Sequence, residues 1–236
     1  MIRYVWISLM VILALLASGA QLDRQSRRNP MLAPLVPSMF RSFAQARQVI
    51  STVRSAEPAE ALKAAELLVQ RRPIPAEHLS LLAIAKARSG DNANAMLLLQ
   101  MAAQRGWRDS IAQQSMFGIA FNAGDMAEAS RRLAALWGIG ERQMPLAAST
   151  AKVLATPEGR KAMAAAMSTN GRWINAFLTE SEAMPPHHLA QTIAMASAKG
   201  ARLNCAALQL IETVYTKRKL AAETEMLTTA RQTCSR

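Results

Sequence analysis

Between Ser38 and the C-terminus, prolines and glycines cut the chain into short pieces: Pro58, Pro75, Gly90, Gly106, Gly124, Gly138, Gly140, Pro157, Gly171, Pro185, Pro186 and Gly200. Proline suits the first turn of a helix and glycine its end, so these residues mark starts and stops. Most pieces are long enough for one short helix and too short for two. No stretch sustains the period-two alternation of a half-buried strand. The composition is rich in Ala, Leu, Met, Gln and Arg and poor in Val, Ile, Thr and Tyr, which also favours helix. The expected fold is all-α, built from antiparallel helical hairpins. With 51% apolar residues the chain is not disordered, and two cysteines cannot form a four-cysteine zinc site.

The pieces also repeat. Ser89, Gly90 and Asp91 recur as Ala123, Gly124 and Asp125. At the same offset Ala85, Ala93, Ala95 and Leu99 pair with Ile119, Ala127, Ala129 and Leu133, and one period earlier Ala61, Ala65 and Leu68 fall in register with Ala95, Leu99 and Ala102. A Gly-Asp turn reverses the chain and caps the next helix. The small Ala that follows permits close helix contact, and the larger residue four positions on fills the groove.

Over roughly Pro58 to Gly140 the chain thus resembles the tetratricopeptide repeat family. It departs from the family pattern where Leu79, Leu82 and Ala83, then Gln113, Met116 and Phe117, replace the usual aromatic and Gly positions; Trp107 and Glu141 replace the closing Pro. The resemblance implies a solenoid of stacked hairpins with a concave groove that binds protein partners. The first helix of each hairpin would line that groove, which nominates Lys86, Gln113 and Asn122.

Tyr4 to Ala20 is an uninterrupted apolar run without a charged residue. As a helix it covers about 25 Å, slightly less than a hydrocarbon core of roughly 30 Å, and Leu22 with snorkelling Arg3 and Arg24 completes the span. An N-terminal transmembrane helix is expected, with Tyr4 and Trp6 as interfacial aromatics. A cleaved signal peptide is the alternative, since Ser18 and Ala20 are small residues preceding Gln21. Arg24, Arg27 and Arg28 just downstream favour the uncleaved anchor. The expected domains are an anchor or signal segment at 1–22, a Pro-punctuated linker at 23–37, tetratricopeptide-like repeats at 38–141, and further hairpins at 142–236. Ser38 is the expected cap of the first helix of the body.

Cys205 and Cys234 lie symmetrically about Arg218, Lys219 and Leu220, a turn between two antiparallel helices. Residues equally far from such a turn come side by side, so the two sulfurs can meet. The alternative is two unrelated core cysteines. A bridge belongs to an oxidising compartment. The positive-inside rule leans weakly the other way, since Arg24, Arg27 and Arg28 with Asp23 oppose Arg3 and the terminal amine. The cysteines place the body outside the cytoplasmic membrane.

No HExxH, Gly-rich phosphate loop, nucleophile elbow or CxxC occurs in the sequence. His187 and His188 are adjacent, so on a helix they diverge by about 100° and cannot both face one ion. His78 is expected to be solvated in a first turn. No cofactor or metal site is expected. The net charge of +12 is read first as an arginine-rich solvated surface, with an anionic lipid or acidic partner as the alternative, and nucleic-acid binding is not expected, because stacking aromatics are few at 5%. One apolar span followed by such hairpins looks like bacterial envelope proteins of tetratricopeptide type, some of which serve surface-polysaccharide export. The expected function is a non-enzymatic protein-interaction scaffold in the inner membrane with a periplasmic body. A structural protein binding anionic lipid or polyanion, and an enzyme with an unrecognised site, are the alternatives.

Overall fold

A computed structural model describes residues 2–141 and 144–234, with the backbone alone for Ile2. Among the described residues the chain is helical, with thirteen α-helices, three short 3-10 turns and no strand. It forms two compact units, Met1–Gly106 and Trp107–Arg236. That division falls inside the region expected to hold the repeats. The boundary expected at 142 coincides with residues 142–143, outside the described ones, as do residues 1 and 235–236.

In the N-terminal unit, α1 (Ile2–Ser26) leaves Tyr4, Trp6, Leu9, Ile12 and Leu16 open. It is long and apolar enough over Arg3–Ser26 to cross a membrane. Its last two turns are part of the body. Residues 23–37, expected to be a linker, complete α1 and form a 3-10 turn at Pro30–Leu35, which packs against α1. Asp23 is 4% exposed. Its carboxylate accepts the backbone N–H groups of Ser42, Phe43 and Ala44 at 3.0–3.1 Å. These are orphan donors at the start of α2 (Phe43–Ser55), and an anion also suits the positive end of the helix dipole. Ser38, expected as the cap, lies instead in a 3-10 turn (Ser38–Phe40), and Ser42 makes no side-chain cap bond. The cap is supplied across the fold, where local sequence cannot reveal it.

The hairpin register is regular. In the N-terminal unit α2 pairs with α3 (Pro58–Arg71), and α4 (Ala76–Arg88) pairs with α5 (Asn92–Arg105). In the C-terminal unit α6 (Ser110–Asn122) pairs with α7 (Met126–Ile139). The second helices begin at Pro58, Asn92 and Met126 and end at Arg71, Arg105 and Ile139, so both ends advance by the same step each time. Helices α4 and α6 obey that step too, and α2 lies one position late. The turns match at the level of bonds. Gly90 and Gly124 take φ of 88° and 76°, a left-handed conformation that only glycine adopts without strain. Asp91 N–H donates to the Lys86 carbonyl and Asp125 N–H to that of Ala120, both at 2.9 Å. Each Asp carboxylate then accepts the N–H three residues on, from Asn94 and Glu128. The earliest hairpin has Ala56 and Glu57 at these positions and makes no such cap. It therefore carries no turn signature.

Small residues let these helices approach closely. Ala61, Ala65, Ala85, Ala102, Ala112 and Ala129 are fully enclosed. The C-terminal unit continues with α8 (Leu146–Leu154), α9 (Pro157–Met167), α10 (Trp173–Thr179), α11 (Pro186–Ala198), α12 (Cys205–Lys217) and α13 (Ala221–Arg231). Helix α7 packs on α9 and α10, which joins the third hairpin to this unit. Trp137 meets Phe177 edge-on at 6.1 Å, and its indole N–H donates to Thr150 Oγ1 at 3.1 Å.

Asp23→Ala should cost about 1–2 kcal/mol, because it leaves three helix-start donors, two half-buried and one buried, without their acceptor. Chemical denaturation and faster hydrogen exchange at the amides of 42–44 would report it. Gly90→Ala and Gly124→Ala should each lower stability by about 1 kcal/mol, since both turns need positive φ. Unequal losses would show that the two turns are not equivalent.

Candidate functional site

Of the three residues nominated for a partner groove, one is open and two are engaged. Lys86 ends α4 with its ammonium 3.7 Å from Glu66 on α3 and 3.5 Å from the capping Asp91. Its side chain is 25% exposed, so it ties the turn to the neighbouring helix while keeping one side open. Gln113 is 1% exposed and accepts a hydrogen bond from Arg132 Nη1 at 3.0 Å, inside the α6–α7 hairpin. Arg132 is held in turn by Glu128 through Nε at 2.8 Å. Gln113 is thus a positioning group within the hairpin and presents nothing to a partner. Asn122 is exposed at the end of α6. An apolar face outside the nominated positions lies on α5, which turns Met96, Leu97 and Met101 outward, Leu97 being 56% exposed.

Cys205 and Cys234 are joined in a disulfide, their Cα atoms 5.3 Å apart. Cys205 opens α12 behind the Asn204 cap, and Cys234 follows the end of α13. The bridge therefore closes the open end of the last hairpin. Glu212 on α12 reinforces it, accepting from Thr228 Oγ1 at 2.6 Å and pairing with Arg231 Nε at 3.0 Å. Beside the bridge lies a cavity of about 540 Å³ bordered by Gln209, Thr228, Arg231 and Gln232. A second, more apolar hollow of about 320 Å³ runs along Ala207, Leu210, Ile211 and Val214 of α12. Under it Tyr215 is 2% exposed with its hydroxyl unpaired among the described residues, and burial pushes its pKa up to about 12. It is therefore a neutral phenol at physiological pH.

The histidines are placed by packing. His78, expected to be solvated, is buried, and its Nδ1–H donates to the Arg72 carbonyl at 2.8 Å. Arg72 ends α3 and His78 opens α4, so the ring bridges the connection. Burial holds its pKa below 6.5, with the Arg72 guanidinium acting in the same direction. His187 is exposed and reaches Glu223 on α13 at 3.2 Å, 6.3 Å from the ring of His188. Among the described residues no group of three His, Cys, Asp or Glu side chains converges to hold a metal.

A third feature lies where α1 joins the body. Gln21, Arg24, Gln25, Arg27, Arg28 and Phe43 line a polar hollow of about 360 Å³. Two guanidinium groups rest on the Phe43 ring, Arg27 at 5.6 Å and Arg72 at 4.7 Å. No family model, curated protein or solved structure matches this chain.

Reduction, or Cys205→Ser, should remove about 3–4 kcal/mol of stability through the freed chain of roughly 30 residues. A lower melting temperature under reducing conditions and the absence of alkylable thiols in the untreated protein would register it. His78 is neutral when folded, whereas the unfolded chain takes up a proton near its ordinary pKa. The stability it contributes is present above that pKa and falls as the pH drops through it. His78→Gln, which keeps a donor for the Arg72 carbonyl, should flatten the loss of melting temperature between about pH 7 and 5.

Proposed function

We propose that this protein is a single-pass membrane protein whose helical body acts as a non-enzymatic protein-interaction scaffold on the periplasmic side of a bacterial inner membrane. The observation that carries the scaffold reading is the shared register of three hairpins, at α2–α3, α4–α5 and α6–α7. Repeated hairpins generate extended surface, which suits protein binding better than enclosing a small substrate. The outward Met96, Leu97 and Met101 supply adaptable apolar contact on such a surface.

The uncleaved anchor is supported by the junction of α1 with the body. The small residues that would serve a signal peptidase, Ser18 and Ala20, stand inside an unbroken helix running on to Ser26. Gly19 between them is covered by Phe40, whose ring lies 2.5 Å from where a Cβ would be. A peptidase needs its substrate extended, so this segment would have to unfold and leave Phe40 first. The periplasmic side is supported by the Cys205–Cys234 bridge, because the cytoplasm keeps thiols reduced. Assistance to surface-polysaccharide or other envelope export is the class of role that fits an anchored scaffold.

In-cell crosslinking of the tagged full-length protein tests the reading. Envelope assembly or export proteins should dominate the catch. Asn122→Arg, at the nominated position that is exposed, should weaken that capture several-fold while the helical circular dichroism is unchanged. A catch made only of cytoplasmic proteins, with both cysteines alkylable in intact cells, would overturn the periplasmic scaffold.

A further inference from the structure

We propose that the arginine-lined hollow at the base of α1 binds one anionic phospholipid, by its phosphate, from the membrane that α1 spans. The proposal rests on the anchor reading above and names a ligand for a site that reading does not use. Its first support is charge. From Met1 to Ala56 the chain carries seven arginines and a single carboxylate, Asp23. Asp23 is the only local group able to neutralise them, and it is turned into the start of α2, where three backbone N–H groups occupy it. Arg24, Arg27 and Arg28 are exposed, and among the described residues none forms an ion pair. They nevertheless converge on one hollow of about 360 Å³ with the amides of Gln21 and Gln25. Stacking on Phe43 restrains Arg27, so its guanidinium does not depend on a lipid to be placed.

Depth is the second support. Ala20 ends the apolar run, and at about 1.5 Å per residue Arg24 stands roughly 6 Å beyond it. The headgroup layer outside the hydrocarbon is about 5–7 Å thick on each side, so Arg24 falls at the level of lipid phosphates, and Arg27 and Arg28, one turn further out, reach back to it with long side chains that line the same hollow. The chain after α1 gives a second measure of depth. Phe40 lies against Gly19, so the 3-10 turn at Ser38–Phe40 has returned to the level of the last apolar turn. In this returning stretch Met31, Leu35 and Met39 are 82%, 66% and 79% exposed. Exposed apolar side chains at every fourth position are costly in water and favourable in an acyl layer. The hollow thus has cationic walls where a phosphate sits, and exposed apolar side chains of α1 and Met39, next to the Phe40 that covers Gly19, lie where acyl chains would run. A soluble anion would use only the first of these.

The test uses full-length protein purified in mild detergent and offered equal amounts of phosphatidylglycerol and phosphatidylcholine, with bound lipid counted by native mass spectrometry. The wild type should retain one phosphatidylglycerol in preference to phosphatidylcholine. R24Q/R27Q/R28Q should reduce that preference on the order of tenfold or more. R24K/R27K/R28K keeps the point charges and should retain most of it, while K217Q/K219Q removes two exposed charges from the other unit and should change nothing. Excess inorganic phosphate should leave the lipid bound; displacement by phosphate alone would make this a soluble-anion site and overturn the lipid assignment. A wild type without preference, or a glutamine triple variant that keeps it, overturns the proposal. Alkaline extraction separates the two readings. Release of the protein from membranes sinks the anchor and this site together, whereas retention without lipid preference sinks this site alone.

Discussion

The position of α1 depends on a single carboxylate. Burying Asp23 among apolar groups would be strongly unfavourable if it were left alone. Three backbone donors at the start of α2 make it favourable, because each of those N–H groups would otherwise be an orphan. The bond set is reciprocal: α2 gains its cap from α1, and α1 gains a fixed point of attachment from α2. Everything at the junction follows from it. Phe40 is brought onto Gly19, Arg27 and Arg72 both reach the Phe43 ring, and the arginines of the last turn lose their nearest counter-charge.

Beyond the junction the fold is maintained by different means at its two ends. The N-terminal hairpins rely on alanines that bring helix backbones together, with Arg side chains closing helix ends. Arg88, for example, donates to the carbonyls of Val53 and Ala56 at the end of α2. The last helix of the C-terminal hairpin has less to rely on. Helix α13 packs against α11 and α12 and buries few large side chains, Leu227 being the main one. A disulfide and the Glu212 pair fasten α13 to α12, whose own Leu208, Ile211 and Tyr215 are buried in the core.

Two rules about sidedness conflict in this chain. Counting arginines near the ends of α1 leans towards a cytoplasmic body, and a disulfide belongs to an oxidising compartment. The margin of the first rule is small, since Arg3 and the terminal amine stand against three arginines and Asp23. The bridge requires both an oxidant and two cysteines positioned within reach of each other, and it is the support on which the periplasmic proposal rests.

Local chemistry was legible in the sequence. Proline fixes φ and glycine accepts positive φ whatever surrounds them, so Pro58, Pro157 and Pro186 open helices and Gly90 and Gly124 close them where the residues alone require it. The Cys205–Cys234 pairing was legible for a related reason, since a hairpin converts distance from the turn into proximity. The turn of the earliest hairpin carried no sign, because Ala56 and Glu57 stand where Gly and Asp would have marked it. His78, Gln113 and Asp23 were decided by tertiary structure. Each is a polar residue whose burial is tolerable only when a particular partner, the Arg72 carbonyl, Arg132 or the N–H groups of α2, is delivered by another helix. Periodicity reports which residues share a face but not which polar group will wait on the opposite one.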